Sequence, residues 1–152
     1  METLPQVERA RALMNEAMAW SVMKWLREKK RVRATADEAN AALDQLRQRI
    51  QDQWPNELRS EYTSMLSTKR SLAGRKQEPN QGTNGSFTPA LKNVKEADDD
   101  ACAARMDAEK TFDDAEKQLS TRLAREGCKK AIFSWDLHEK AIKRAGALVQ
   151  SR

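Results

Sequence analysis

Apolar side chains recur along this chain at the three- and four-residue spacing of α-helices. The first long stripe runs from residue 18 to residue 50 without a change of register, so it passes through Thr35, which could otherwise cap a new helix. Its members are Met18, Val22, Trp25, Val32, Ala36, Ala39, Leu43, Leu46 and Ile50, and Lys29 is its polar interruption. With the capping-box spacing of Thr3 and Gln6, the stripe predicts one helix over about residues 4–53.

Two further helices are predicted after Pro55. A shorter apolar stripe predicts a helix over about 55–73, with Gly74 as its terminator. Residues 74–87 are rich in glycine, proline and amide side chains and are expected to form a flexible loop. Thr88-Pro89 has the pattern of a helix start, and a stripe of mostly small residues predicts a third helix over about 88–150. Gly127 is expected to bend that helix at most.

The charges indicate how the long helices pair. If the first and third helices pack antiparallel, four clusters of opposite charge meet in a single register. Asp98–Asp100 would face Arg47 and Arg49; Asp113, Asp114 and Glu116 would face residues 30–33; Lys129 and Lys130 would lie near Glu16; and Lys140 would lie near Glu8. The expected fold is therefore all-α: a single elongated domain built as a long antiparallel, coiled-coil-like helical hairpin, with a third shorter helix that makes a three-helix bundle at one end.

The segment from Arg27 to Arg33 is basic except for Glu28 and Val32. One side of a charge-matched hairpin is the favoured interpretation, because the chain as a whole carries 28 basic and 23 acidic residues and is mixed in sign. The alternative is an accessory protein that binds nucleic acid or another anionic surface through Lys24, Arg27, Lys29, Lys30, Arg31 and Arg33. No aromatic residue interleaves the segment and no nucleic-acid-binding motif adjoins it, so nucleic acid is possible but not favoured.

The sequence contains no recognisable catalytic, metal or cofactor motif. Cys102 and Cys128 would lie about 39 Å apart on one helix, too far for a disulfide. His138 is expected to be a partly exposed packing residue, about 15 Å from Cys128 and out of reach as its base. Asp98–Asp100 point about 100° apart on a helix and cannot converge on one ion. A non-enzymatic protein without metal or cofactor is therefore expected.

No stretch approaches the roughly 20 apolar residues of a membrane span. The beginning of the chain carries Glu2 and Glu8 where a signal peptide has a basic and then an apolar segment. A cytoplasmic location without a membrane span is therefore expected.

One end of the hairpin has more apolar residues than two helices need. Its candidate self-association residues are Met18, Trp20, Val22, Met23, Trp25, Phe133, Trp135, Leu137 and Ile142. A two-helix seam would leave Trp20, Met23 and Trp135 in water, and bare apolar surface of that extent usually marks an interface. The sequence therefore predicts a structural or interaction module that forms a homodimer through this end, with room for a further, unknown protein partner.

Overall fold

The computed structural model describes residues 4–71 and 88–150, and the regular structure in these two ranges is entirely α-helical. The helices are α1 (Pro5–Ala17), α2 (Val22–Asp52), α3 (Asn56–Ser71), α4 (Thr88–Gln118) and α5 (Thr121–Gln150). The predicted all-α class is confirmed. The predicted flexible loop at 74–87 and the predicted end of the second helix lie outside the described residues.

The prediction of one helix over 4–53 is wrong, because the chain turns between α1 and α2. The amides of Ala19 and Trp20 donate to the carbonyls of Glu16 and Ala17, each at 3.0 Å, which closes the last turn of α1. The Ser21 hydroxyl then accepts a 3.2 Å bond from the Lys24 amide and caps α2. Continuity through Thr35 is confirmed, since α2 includes this residue.

The prediction of one helix over 88–150 is also wrong, and the break falls at Leu119 rather than at Gly127. Leu119 adopts the left-handed backbone conformation, with a φ of 50°. The amide of Ser120 bonds the Ala115 carbonyl at 3.1 Å, the closing bond of a Schellman motif. The Ser120 hydroxyl accepts a 3.1 Å bond from the Leu123 amide and so begins α5.

The main hydrophobic core is shared by four helices of one chain. Residues of α1, α2, α4 and α5 contribute to it, and Met14, Trp25, Leu43 and Trp135 are among its most buried members. α1 packs against α2 and α5, and α4 and α5 approach most closely along their length. The backbones of α2 and α4 stay further apart, so these two helices meet through long side chains. The rings of Trp25 and Phe112, for example, stack at 5.4 Å.

A second hydrophobic cluster lies at the other end of the molecule, where α3 packs. Trp54 and Leu58 are buried there against Leu91, Val94 and Ala145. The Trp54 indole nitrogen donates a 3.0 Å hydrogen bond to the Ala145 carbonyl. The Tyr62 hydroxyl bonds Asp98 at 3.1 Å, and Arg47 lies 3.5 Å from the same carboxylate, so α2, α3 and α4 are joined at one point.

Two of the four predicted charge contacts are observed. Arg47 pairs with Asp98, and Arg33 lies 2.6 Å from Asp113 and 3.1 Å from Glu116. The other two contacts are absent from the described ion pairs, because α1 is a separate helix with its own register. Lys130 pairs with Asp107 of α4 instead of Glu16, and Arg11 is the residue of α1 that pairs with α5, at 2.7 Å from Asp136 and 2.6 Å from Glu139.

Candidate interaction surfaces

The tryptophans of the candidate self-association end are buried within their own chain. The exposed fractions are 6% for Trp20, 1% for Trp25 and 1% for Trp135. Trp135 donates its indole N–H to Asn40 Oδ1 at 3.0 Å, and the Lys24 ammonium lies 5.0 Å from the ring centre of Trp20. The expectation that Trp20 and Trp135 are left in water is therefore wrong. The physical reason is that both rings have a place in the main core: Trp135 bonds to Asn40 of α2, and Trp20 packs from the turn between α1 and α2.

The rest of the candidate self-association residues divide between core and surface. Ile142 is buried, and Met18 and Val22 are half-buried and pack against the main core. Met23 on α2 and Phe133 on α5 remain exposed, by 64% and 56% of their surfaces. No self-association contact is tested by a single chain, so the homodimer stays a prediction.

Phe133 lies in a shallow groove between α4 and α5, which we call the Phe133 groove. It is lined by Asp100, Ala103, Ala104, Asp107, Lys130, Phe133 and Leu137. Small residues on α4 let the two helices approach closely, so the floor is formed by alanine and the rims by longer side chains. Lys130 is held across the groove by Asp107 at 3.3 Å and by the Thr111 hydroxyl at 3.1 Å. Met106 of α4 is 63% exposed, but it lies about 160° around the helix from Ala104 and so points away from the Phe133 groove.

The candidate anion-binding residues do not form one continuous basic surface. Arg33 and Lys29 point to α4, where Lys29 lies 3.7 Å from Glu116. Arg31 pairs with Glu28 one turn away at 3.3 Å, and Lys24 covers Trp20. Arg27 and Lys30 are exposed and have no ion pair with the described residues. Four of the six candidate residues therefore make contacts inside the molecule.

A polar cavity of about 120 Å³ lies where α2 and α4 are held apart. It is lined by Arg33, Ala36, Asp37, Asn40, Arg105, Ala108, Glu109, Phe112, Ala131, Ser134 and Trp135. Its volume equals that of roughly four water molecules at about 30 Å³ each, which is below the roughly 300 Å³ of the smaller ligand pockets. Its two arginines are already paired, Arg33 with α4 carboxylates and Arg105 with Asp44. These features are typical of a hydrated packing gap.

The single histidine is part of a buried polar contact. His138 is 4% exposed, which corrects the expectation of a partly exposed residue. Arg105 Nη2 lies 3.1 Å from His138 Nε2, and the same guanidinium bonds Asp44 at 3.1 Å. Burial, reinforced by the neighbouring Arg105 charge, lowers the pKa of His138 to about 4. The imidazole is therefore neutral at pH 7 and accepts a hydrogen bond from Arg105.

The two thiols are separated and differ in environment. Cys128 is buried in the main core, and this burial raises the pKa of its thiol to about 12. A thiol with that pKa is protonated at neutral pH and is a poor nucleophile. Cys102 is exposed on α4. Among the described residues, no group of three or more His, Cys, Asp or Glu side chains has the geometry to hold a metal ion.

The Tyr62–Asp98–Arg47 contact was not predicted from the sequence. Burial raises the pKa of Asp98, while Arg47 and Tyr62 oppose that rise. Burial and the Asp98 charge raise the pKa of Tyr62 as well. Asp98 was predicted to face Arg47, but the place of α3 beside them depends on the Trp54-Pro55 turn. The apolar stripe of α3 contains Tyr62 without indicating which partner its hydroxyl takes.

No protein-family model, curated protein or solved structure matches this chain. None of the described helices combines the length and apolar character that crossing a bilayer requires.

Proposed function

We propose that this chain is a non-enzymatic helical interaction module that binds protein through the Phe133 groove. The observation that carries the proposal is the 56% exposure of Phe133 in a groove floored by Ala103 and Ala104. Burying a phenylalanine side chain contributes roughly 1.5–3 kcal/mol relative to leaving it exposed. A protein that covers Phe133 would therefore gain part of this free energy on binding. Aromatic residues are enriched where proteins bind each other, and Phe133 is an exposed aromatic side chain.

The non-catalytic part of the proposal is supported by the chemistry of the buried groups. His138 is neutral and bonded to Arg105, and Cys128 is a protonated core thiol. The cavity beside Asn40 and Trp135 is small, and its two arginines already have partners. These groups stabilise the packing of four helices and offer no pair of acid and base poised around a substrate.

An affinity experiment tests the proposal. The wild-type chain, Phe133→Glu and Met23→Glu are immobilised and exposed to an extract of the source cells, and the retained proteins are compared by mass spectrometry. Met23 is a matched control, since it is an equally exposed apolar residue outside the Phe133 groove. Proteins that bind the wild-type chain and Met23→Glu should be lost with Phe133→Glu. Identical protein sets for all three chains would show that the groove is not the binding surface.

A second function, binding to an anionic surface, is supported by Arg27 and Lys30. Both side chains are exposed and unpaired within the described part of the chain. Retention on heparin tests it, because phosphate-type binding weakens steeply with salt through counterion release. An anion-binding protein should elute at markedly lower salt after Arg27→Glu with Lys30→Glu. Elution at low salt that these substitutions barely change would exclude this second function. A cytoplasmic location also stays a prediction.

A further inference from the structure

The two helices that border the Phe133 groove carry opposite charge on their outer sides. In the half of α4 beside the groove, the exposed acids are Glu96, Asp99, Asp100 and Asp107, with Lys92 as the exposed base among residues 92–107. In the half of α5 at the same level, the exposed bases are Lys140, Lys143 and Arg144, with Asp136 as the exposed acid among residues 133–147. An acidic strip on α4 therefore runs beside a basic strip on α5, with the Phe133 groove between them.

We propose that a second copy of this chain occupies the Phe133 groove, with a two-fold axis parallel to α4 and α5. The inference rests on the proposed function and names its partner. Such an axis places α4 of each copy against α5 of the other, so each acidic strip meets a basic strip. The four contacting helices, two from each copy, form an intermolecular bundle around the groove residues.

The contacts between the two copies can be derived from the heights of their residues along the helix axes. Within one chain Lys130 contacts Asp107, and Phe112 packs against Gly127, so position 133 lies level with position 106. Rotation about an axis parallel to the helices leaves these levels unchanged. Phe133 of one copy therefore lies against the turn of α4 that carries Ala103 and Asp107 in the other. By the same spacing, Lys140 of one copy meets Asp99 and Asp100 of the other.

The charge pattern disfavours the other two-fold arrangement. An axis perpendicular to the helices would place α4 on α4 and α5 on α5. The acidic residues from Glu96 to Asp107 would then face acidic residues, and the basic residues of α5 would face basic ones. Like charges that face each other across an interface repel and disfavour that arrangement. A heterologous partner would need this same alternation of charge, which the second copy already has.

The size of the matched face indicates a weak dimer. Residues 92–107 rise about 24 Å along α4, and two adjacent helices are about 20 Å wide. The face is then about 500 Å² per copy, or about 1,000 Å² in total, near the lower limit of specific interfaces. Towards the turn at Leu119 the matched positions carry like charges, for example Lys110 and Lys129, so the contact does not extend further in that direction. Concentration should therefore control the association.

Sedimentation velocity from about 10 to about 500 µM tests the inference, since a weak specific interface has a dissociation constant in the micromolar range. The wild-type chain and Met23→Glu should shift from the 17.3 kDa monomer towards twice that mass with rising concentration. Phe133→Glu should raise the dissociation constant of the dimer at least tenfold, while the circular dichroism of the variant shows the same helical content as the wild-type chain. A wild-type chain that stays monomeric over the whole range would overturn the inference.

Charge exchange tests the orientation. Asp100→Lys and Lys140→Glu should each weaken the dimer, and an equimolar mixture of the two variants should regain the wild-type affinity as a heterodimer. A mixture no tighter than either variant alone would exclude the parallel axis. Failure of the inference is distinguishable from failure of the proposed function. A monomeric chain whose captured proteins still depend on Phe133 rejects only the second copy, whereas a monomeric chain with no Phe133-dependent capture rejects both.

Discussion

Gly127 lies against the ring of Phe112, and this contact decides what a larger side chain would do there. A Cβ atom at position 127 would lie 2.6 Å from Phe112 Cδ1. The ring is held on its other side by Trp25, with the two ring centres 5.4 Å apart. We expect Gly127→Ala to lower the free energy of unfolding by about 1–3 kcal/mol through overpacking. This outcome is opposite in sign to the roughly 1 kcal/mol that alanine gains over glycine in a helix.

Gly146 is the matched control in the same helix. The nearest side-chain atom to a Cβ atom there would be Ile50 Cδ1, at an ordinary 4.0 Å. Gly146→Ala should therefore raise the free energy of unfolding by up to about 1 kcal/mol. Urea unfolding followed by circular dichroism measures both variants. If Gly127→Ala stabilises the protein as Gly146→Ala does, the close packing of Phe112 on Gly127 is wrong.

His138 makes the stability of the molecule depend on pH. Its pKa is about 4 in the folded protein and about 6.5 when unfolded, so the unfolded chain binds its proton first as the pH falls. The stability that the neutral His138 imidazole contributes is complete above about pH 6.5, and it is lost as the pH falls towards 4. Between pH 7 and pH 5 the free energy of unfolding should fall by about 2 kcal/mol on this account.

His138→Gln separates this effect from the titration of carboxylates. Glutamine can still accept a hydrogen bond from Arg105 and has no proton to gain. Urea unfolding at pH 7, 6 and 5 should therefore give a flatter dependence for the variant than for the wild-type chain. Equal slopes would mean that the imidazole becomes charged within the folded protein at an ordinary pKa.

Some residue environments could be predicted from the sequence and others could not. The apolar stripe through Val32, Ala39 and Leu43 identified three fully buried side chains, because helical periodicity determines which positions share a face. The burial of His138 was missed, since it depends on Arg105 and Asp44 arriving from two other helices. Gly127 was recognised as unusual in a helix, but its role in admitting Phe112 requires the neighbouring helix.

At the scale of helices, the turn at Leu119 is held in a conformation that favours glycine. A residue with a β-carbon in the left-handed region costs roughly 1 kcal/mol, and Leu119 is 60% exposed, so its side chain contributes little to packing. Leu119→Gly should therefore raise the free energy of unfolding by about 1 kcal/mol. Ser120→Ala, which removes the cap of α5, should lower it by about 1 kcal/mol. Thermal unfolding by calorimetry compares the two, and destabilisation by Leu119→Gly would contradict the turn described here.

Both missed helix breaks share one physical cause. The apolar stripe continues in register across residues 18–21, and no proline or glycine marks either turn. In the sequence, these two turns are indicated by Ser21 and Ser120, whose hydroxyls cap the first turns of α2 and α5. A serine is common enough in other settings that its capping role shows only when the chain direction changes. Trp54-Pro55 did mark its turn correctly, because proline restricts the backbone of the preceding residue.

For the whole molecule, charge pairing predicted how α2 and α4 meet. The contacts of Arg33 with Asp113 and Glu116 and of Arg47 with Asp98 follow from clusters of opposite sign on two long helices. The same reasoning failed for Glu16, because the chain turns between α1 and α2. α1 is therefore a separate helix and does not continue the direction of α2. Phe133 belongs to the predicted self-association residues. The sequence could not show that Phe133 is exposed while the tryptophans of that set are buried, because this difference depends on how the helices pack.

The described residues form two hydrophobic clusters, and these should differ in their response to mutation. Trp54 is 2% exposed in the cluster at the α3 end, whereas Trp25 and Trp135 belong to the main core. Trp54→Ala removes a large buried side chain and its bond to the Ala145 carbonyl, so it should cost about 3–5 kcal/mol locally. Because the four-helix core does not use Trp54, that core should remain folded while α3 opens.

Hydrogen exchange measured by mass spectrometry distinguishes local from global opening. In Trp54→Ala, exchange should accelerate in α3, at the beginning of α4 around Leu91 and at the end of α5 around Ala145. Amides near Val32 and Ala131, which lie in the main core, should keep their protection. Trp25→Ala is the comparison, because its loss should accelerate exchange throughout α1, α2, α4 and α5. Uniform acceleration in Trp54→Ala would show that the two clusters unfold as one cooperative unit, with α3 essential to the core rather than docked on its end.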